Sequence, residues 1–389
     1  MLAPLPDEML LREALEIPDA VPVALRTREP LGAGTVTGFE VVGADGHAVT
    51  YFVDTSGRRV AQETGLATGT PEAPEERIWL HPQDPHLPAL AAVAFGDAAR
   101  TLLHRIGREV VDPPDLVAYR PGRRAVFRVV CDDGIRWVKV IRPERVERIV
   151  GLHARLADAA LHVPQIEAWA DAGLLVLPQA PGRAAVDVTP PASALLDEVD
   201  RWRAIMAGAP LENRARSELP ERAEWYTSRL AARLAPGAAE RLRADAARVR
   251  PVVGDGGERT VIHGDLHFGQ LFLDDAGRMS GVIDVDTAGR GAAADDSAAF
   301  ISHALASAAL DPGARGGWAY AVGVAALERW DDPTAHVRER VAVHLWGHAL
   351  GADDLDDVAR RDVLLTTADA LLADEDVPKD GLMDGFDTP

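Results

Sequence analysis

The chain has 389 residues, 47% of them hydrophobic and 26% charged, with 61 acidic against 41 basic side chains and a formal charge of −20. That length accommodates two or three domains with ordinary buried cores, while the acidic excess argues against nucleic acid or an anionic membrane surface as a partner. Cys131 is the single cysteine, so neither a disulfide framework nor a cysteine zinc site arises within one chain. The opening MLAPLPDEML carries no secretory pattern, and no run of about 18 apolar residues occurs, which predicts a soluble, cytoplasmic protein that does not enter membranes.

In chain order, VTGFEVV (36–42) and AVTYFV (48–53) flank GADGH, whose Asp45 and Gly46 suit a tight turn, so a β-hairpin is predicted. HPQDPHLP (81–88) breaks regular structure, and DAARTLLHRIG (97–107) reads as a short helix with Asp97 as N-cap and Gly107 as C-cap. A boundary there sets off residues 1–105 as a small mixed domain. From Leu116, LVAYRPGRRAVFRVV, the turn DDG and IRWVKVIR predict a second hairpin, followed by a helix opened by Pro143 and an apolar strand in LLVLPQAPG. Residues 106–182 make up this second segment. Beyond VDVTPPAS, apolar residues recur at steps of three and four, as in Leu195, Val199, Trp202 and Met206, and then Tyr226, Leu230 and Leu234. Residues 183–389 are therefore expected to be mainly helical, ending in a poorly ordered acidic tail from about Ala373.

Two features carry chemistry. The first is Lys139 in GIRWVKVIRPERV: the chain has only one other lysine, Lys379 in the tail. Strand alternation puts Lys139 on one face with Ile135, Trp137 and Ile141, read as the more apolar face, opposite Arg136, Val138, Val140 and Arg142. The second is TVIHGDLHFGQLFLDDAGRMSGVIDVDTAGRGAAADDSAAF (260–300), which interrupts the helical pattern. Here His263 to Gly269 form a tight loop between two short strands, and Asp284 and Asp286 lie at the end of a third. Asp265 and the amide of Gln270, five residues on, are spaced to meet one bound ion. Oxygen ligands of this kind suit magnesium, which commonly uses one or two carboxylates together with waters and substrate phosphates.

These motifs resemble the aminoglycoside phosphotransferase and choline kinase-like family of small-molecule kinases. Its hallmark, His-Gly-Asp, four residues, then Asn, an Ile-Asp strand end and a later helix-starting Asp, is matched by His263-Gly264-Asp265, Gln270, Ile283-Asp284 and Asp296. The resemblance spans roughly residues 116–370. It implies an α+β, two-lobed protein kinase-like fold, with residues 1–105 as an additional N-terminal cap domain. It further implies Asp265 as the catalytic aspartate, Gln270 and Asp284 as magnesium ligands, and His263 and Asp296 as supports of the loop. Lys139, Glu147, Arg123 and Gln179 would serve the nucleotide, and His267 and Asp286 the substrate. ATP and Mg²⁺ are the implied cofactors and a small-molecule hydroxyl acceptor the implied partner.

Three positions depart from the family pattern. Gln270 stands where Asn is usual, as in maltokinase-like members whose loops resemble HGDLHFGQ and which carry an N-terminal cap. YRPGRRAVF replaces a Gly-rich loop, so arginine or backbone groups would cover the phosphates. The helix glutamate that pairs with the lysine is Glu147 or Glu144. The loop and cap resemble maltokinase-like and actinobacterial glucosamine kinase-like proteins, so a sugar or amino sugar is the expected acceptor, with an aminoglycoside second. Two other classes compete: a nucleotide-binding pseudokinase acting as sensor or scaffold, and a zinc hydrolase built on His263 and His267. Against the latter, Gly264 and Gly269 argue for a loop rather than a metal-binding helix. The acidic run GADDLDDVARRD is read as a solvated helix start.

Overall fold

In the computed structural model, described for residues 6–43, 46–215, 219–254, 259–311, 313–354, 357–379 and 381–382, alternating apolar and polar residues build two antiparallel five-stranded sheets before the helical region begins. The chain divides into two units, residues 1–151 with 165–179, and residues 152–164 with 180–389.

The first unit opens with helix α1 (Pro6–Ala14), then strands β1 (Val23–Leu31), β2 (Gly34–Val42), β3 (Ala48–Asp54), β4 (Leu66–Gly69) and β5 (Pro74–Leu80), ordered β1-β2-β3-β5-β4. The predicted first hairpin is β2–β3, with Val42 opposite Ala48; Ala44 and Asp45 of its turn lie outside the described residues. Period-two alternation buries Phe39, Val41 and Val53 against Leu11 of α1. Helices α2 (Leu90–Ala94) and α3 (Gly96–His104) follow. Asp97 is not the N-cap expected of it: Phe95 takes that place without a side-chain bond, and Asp97 pairs with Arg100 at 2.7 Å inside the first turn.

The second sheet consists of β6 (Asp115–Arg120), β7 (Arg124–Cys131), β8 (Gly134–Ile141), β9 (Ala168–Ala170) and β10 (Leu174–Pro178), ordered β6-β7-β8-β10-β9. Helix α4 (Val146–Asp158) lies between β8 and β9 in the chain, and its Val146 and Ile149 pack on Ile141, Leu175 and Leu177. A buried carboxylate ties the two sheets of this unit together. Asp84, after β5, accepts from Gly122 N at 2.8 Å, Tyr119 Oη at 3.0 Å and its own neighbour His86 N at 2.9 Å.

The second unit contains β11 (Arg183–Ala184), α5 (Ala185–Val188), α6 (Ala192–Ala207), α7 (Leu219–Ala231), α8 (Pro236–Gly254), β12 (Arg259–Ile262), β13 (Leu271–Leu273), β14 (Met279–Val282) and β15 (Gly289–Ala292). It closes with α9 (Ala293–Leu310), α10 (Ala314–Trp330), α11 (Val337–Asp353) and α12 (Val358–Leu372). Small residues let these helices approach closely: a side chain at Gly323 would meet Leu305 and Ala304, and one at Gly347 would meet the ring of Tyr226. Helix α9 is apolar around most of its circumference and is accordingly buried within the main core with Trp346, Leu364 and Leu371. The described part of the acidic tail, residues 373–379 and 381–382, includes positions packed on the helices. Val377 and Leu382 are buried in that core, and Tyr320 Oη donates to Val377 O at 3.2 Å. Among the described residues no helix is long and apolar enough to cross a membrane.

Candidate active site

The loop from His263 to Gln270 joins β12 to β13. Its backbone is held at both ends by ladders, Ile262 opposite Gly289 and Leu271 opposite Val282. Between them the chain must reverse, and Gly264 does so at φ +83°, where an added Cβ would lie 2.9 Å from Thr287 O. Asp296, in the first turn of α9 and 2% exposed, accepts the backbone N–H groups of both His263 and Gly264 at 2.8 Å. Burial pushes its carboxyl up in pKa, against the pull of His263 and the two N–H donors. Thr287 Oγ1 donates to His263 O at 2.8 Å, and the His263 ring, fully buried, lies 3.2 Å from Ile283 O through Nε2. His263 and Asp296 thus shape the loop from within the core.

On its outer side the loop is closed by a capping box. His267 Nδ1 accepts from Gly269 N at 3.1 Å, while Gln270 Oε1 accepts from His267 N at 3.0 Å. His263 and His267 accordingly have separate duties and form no metal pair; among the described residues no cluster of three or more His, Cys, Asp or Glu is arranged to hold a metal.

Asp265 projects from this braced loop with its side chain 42% exposed. Its Oδ1 lies 3.9 Å from His303 Nε2 of α9. Desolvation alone would raise its pKa, but His303, His344 and His267 together hold it well below the ordinary carboxylate range. The side chain is therefore a carboxylate at neutral pH, partly exposed. The histidines that surround it on α9 and α11 escaped the sequence reading; His344 and His348, four apart in HLWGH, were the available signal.

Gln270 and Asp284 come together through the sheet: Ile283 N donates to Gln270 O at 3.0 Å, directly beyond the Leu271–Val282 pair. Asp284 sits in the left-handed region at φ 61° at the end of β14, and both its charge and that of Asp265 act on His267. These are hard oxygen donors in small number, and the set fits magnesium, which keeps waters and takes its remaining ligands from phosphates. Gln270 Oε1 has one lone pair engaged by His267 N and one left for a cation, while its buried Nε2 has no hydrogen-bond partner among the described residues. Asp286 is only 6% exposed and lies 3.6 Å from His153 Nε2, a residue the sequence reading passed over.

In the first unit, Lys139 occupies the middle of β8, opposite Val126 of β7 and Leu175 of β10. Its face is the more open one, contrary to the sequence reading. Ile135, Trp137 and Lys139 are half-buried, although Ile141 at the end of the same face is buried, whereas Val138 and Val140 are fully buried and Arg136 is buried by pairing with Asp133 and Glu167. Trp137 Nε1 donates to Gln179 Oε1 at 2.6 Å, which gives the tryptophan a polar partner and leaves the Gln179 Nε2 donors to spare. The Arg123 guanidinium is engaged by the carbonyl of Pro30, at 3.1 Å from Nε, and by Glu29. Glu147 is exposed on α4, and Glu144, in the turn before it, is near Arg142 and Arg58.

The model of the phosphotransferase enzyme family matches residues 39–334, most of the chain, including Lys139 and the region from His263 to Asp296. The chain belongs to that family. The enzyme is thus a phosphotransferase with a hydroxyl acceptor, as the family resemblance carried by His263, Asp265, Ile283, Asp284 and Asp296 implied. Among solved structures, this phosphotransferase is similar to amicoumacin kinase hAmiN in complex with AMP-PNP, Ca²⁺ and Ami, at 14% identity over 72% of this chain and 95% of that one, with a TM-score of 0.50. It is also similar to aminoglycoside phosphotransferase APH(3'')-Id from Streptomyces rimosus, at 22% identity over 68% and 97% with a TM-score of 0.45. Macrolide 2'-phosphotransferase MphH from Brachybacterium faecium gives 20% identity over 71% and 98%, and 0.40. At such identities the likeness concerns the α+β, protein kinase-like fold. No curated protein matches the sequence.

Proposed function

We propose that this phosphotransferase moves the γ-phosphoryl group of ATP onto a hydroxyl of a sugar or amino sugar, with Asp265 receiving the hydroxyl proton. The observation that carries this reading is an ionised, outward-facing carboxylate on a loop whose backbone is fixed by Asp296, Thr287 and the His267–Gln270 box. A carboxylate whose pKa is held so low is too weak a base to ionise an alcohol in advance. It orients the hydroxyl by accepting its hydrogen bond and takes the proton as the new P–O bond forms, in keeping with a loose transition state in which positioning dominates. Gln270 and Asp284 would hold magnesium, which when bound neutralises phosphate charge. Lys139 is assigned to the nucleotide phosphates, a role suited to a compact ammonium on a rigid central strand. Gln179 and Glu147 stay proposed for the nucleotide, and Arg123 with them although its guanidinium already serves Pro30 O and Glu29.

Release of ADP from ATP and magnesium over a panel of hydroxyl acceptors tests the reading. Acceptor-dependent ADP is expected; its absence with every acceptor would favour a nucleotide-binding scaffold instead. Lys139→Ala is expected to raise the KM for ATP about tenfold or more with the melting temperature little changed, and unchanged ATP kinetics would remove the lysine from the site.

A further inference from the structure

We propose that the acceptor is an uncharged, polyhydroxylated molecule of the sugar class, recognised by a wall of four imidazoles, His267, His303, His344 and His348, beside Asp265. The inference rests on the kinase reading above and narrows it, excluding cationic acceptors.

The four rings come from three elements, the loop, α9 and α11, and three of them meet in a row. His267 and His303 stack with centroids 4.3 Å apart and planes 22° apart, and His303 meets His348 edge-on at 4.5 Å and 80°. His344 precedes His348 by four residues and so shares its face of α11. His303 places the wall against the reacting group, with Nε2 3.9 Å from Asp265 Oδ1. All four residues are half-buried, neither packed in the core nor spread on the surface. Their ring nitrogens are also available. His344 Nε2 is shielded from solvent and has no hydrogen-bond partner among the described residues, and His267, accepting through Nδ1, keeps Nε2–H as a donor. A buried ring nitrogen without a protein partner is open to a ligand hydroxyl.

The charges around the wall decide the ligand class. Burial pushes His344 down to about 3 and His348 well below its usual value, so these imidazoles are neutral at pH 7. Among the strongest charges they feel, the only carboxylate is Asp265, assigned to the reaction; Arg222, Arg340 and Arg360 supply positive charge. Arg340 is tied to Asp295. A polyamine acceptor entering here would lose hydration with no spare carboxylate among these groups of the described residues to replace it. Hydroxyl groups, in contrast, each donate and accept, and neutral imidazole offers one of each. The ring faces add flat apolar surface for the C–H face of a sugar.

The test compares neutral sugars and polyols with their amine-bearing counterparts and with aminoglycosides at pH 6.5, where the amines are charged, in wild type and in His344→Asn and His348→Phe. The expected result is a kcat/KM at least about tenfold higher for the neutral acceptor than for its amine counterpart, since an unpaired buried charge is rejected more strongly than a lost contact. Both variants should raise the acceptor KM about tenfold without moving the KM for ATP, and His344→Asn, which keeps a polar side chain, should fold even where His348→Phe does not. A preference for the amine-bearing acceptor, or an unchanged acceptor KM in folded His344→Asn, would overturn the inference while leaving the kinase reading intact. Turnover with no acceptor would instead overturn the kinase reading. In that case calorimetric binding of the neutral sugar to the ADP–magnesium-loaded protein still decides the inference, which stands on binding weakened by His344→Asn and falls on no binding.

Discussion

Two Asp–His networks of similar composition serve opposite ends in this molecule. In the first unit, Asp54 accepts from His86 Nε2 at 2.8 Å, Arg77 Nη1 at 3.2 Å and Ser56 N at 2.7 Å, and its side chain is fully buried. In the second, Asp265 has one imidazole at 3.9 Å and nearly half of its side chain open. Both carboxylates are held below their ordinary pKa against the cost of desolvation, Asp54 by His86 and Ser56, Asp265 by three histidines. The direction of the pKa shift therefore does not separate structure from function here. What separates them is whether the oxygens are already used.

Breaking each network sharpens the contrast. The largest effect is expected in Asp265→Asn, which should lower turnover by about two to four orders of magnitude with the melting temperature within a few degrees of wild type. Next comes Asp54→Asn, expected to cost about 1–3 kcal/mol because His86 Nε2, Arg77 Nη1 and Ser56 N then share a single amide oxygen in place of a carboxylate, while Glu63 still pairs Arg77 Nε, as read by urea unfolding, with the turnover of the remaining folded enzyme unchanged. Asp296→Asn should lie between the two in kind. It can accept from only one of the two loop N–H groups, so a loss of about 1–3 kcal/mol in stability and a fall in turnover should appear together.

The smallest effect concerns pH. His267 and His344 have folded pKa values near 3 against 6.5, so the unfolded chain binds more protons and stability falls as pH drops from 6.5 toward 3. Asp54, whose folded pKa is depressed from 3.8, keeps its contribution until pH falls below about 4 and loses it only then. Melting curves from pH 7 to 3 should show the imidazole-linked loss first, and His344→Asn should flatten that first limb.

How much of this was legible beforehand follows from what local sequence encodes. The loop, its flanking strands and the partners Asp284 and Asp296 are set by short apolar runs and fixed spacings, and the structure closes the loop through these residues. Gln270, in contrast, could be read as a metal ligand from its spacing but not as half of a capping box, because the N–H it serves belongs to the irregular backbone at His267. The imidazole wall was illegible for a different reason. His303 and the pair His344 and His348 are separated by a helix and a turn, so only the packing of α11 on α9 brings the rings together. The face of Lys139 was misjudged because Arg136 appeared polar in sequence, whereas Asp133 and Glu167 neutralise it and let it be buried.

The most direct measurement is turnover of acceptor and melting temperature determined side by side for Asp265→Asn and Asp54→Asn. The account predicts a folded, nearly inactive Asp265→Asn and a destabilised but, where folded, active Asp54→Asn. Near-normal turnover in a folded Asp265→Asn would contradict it.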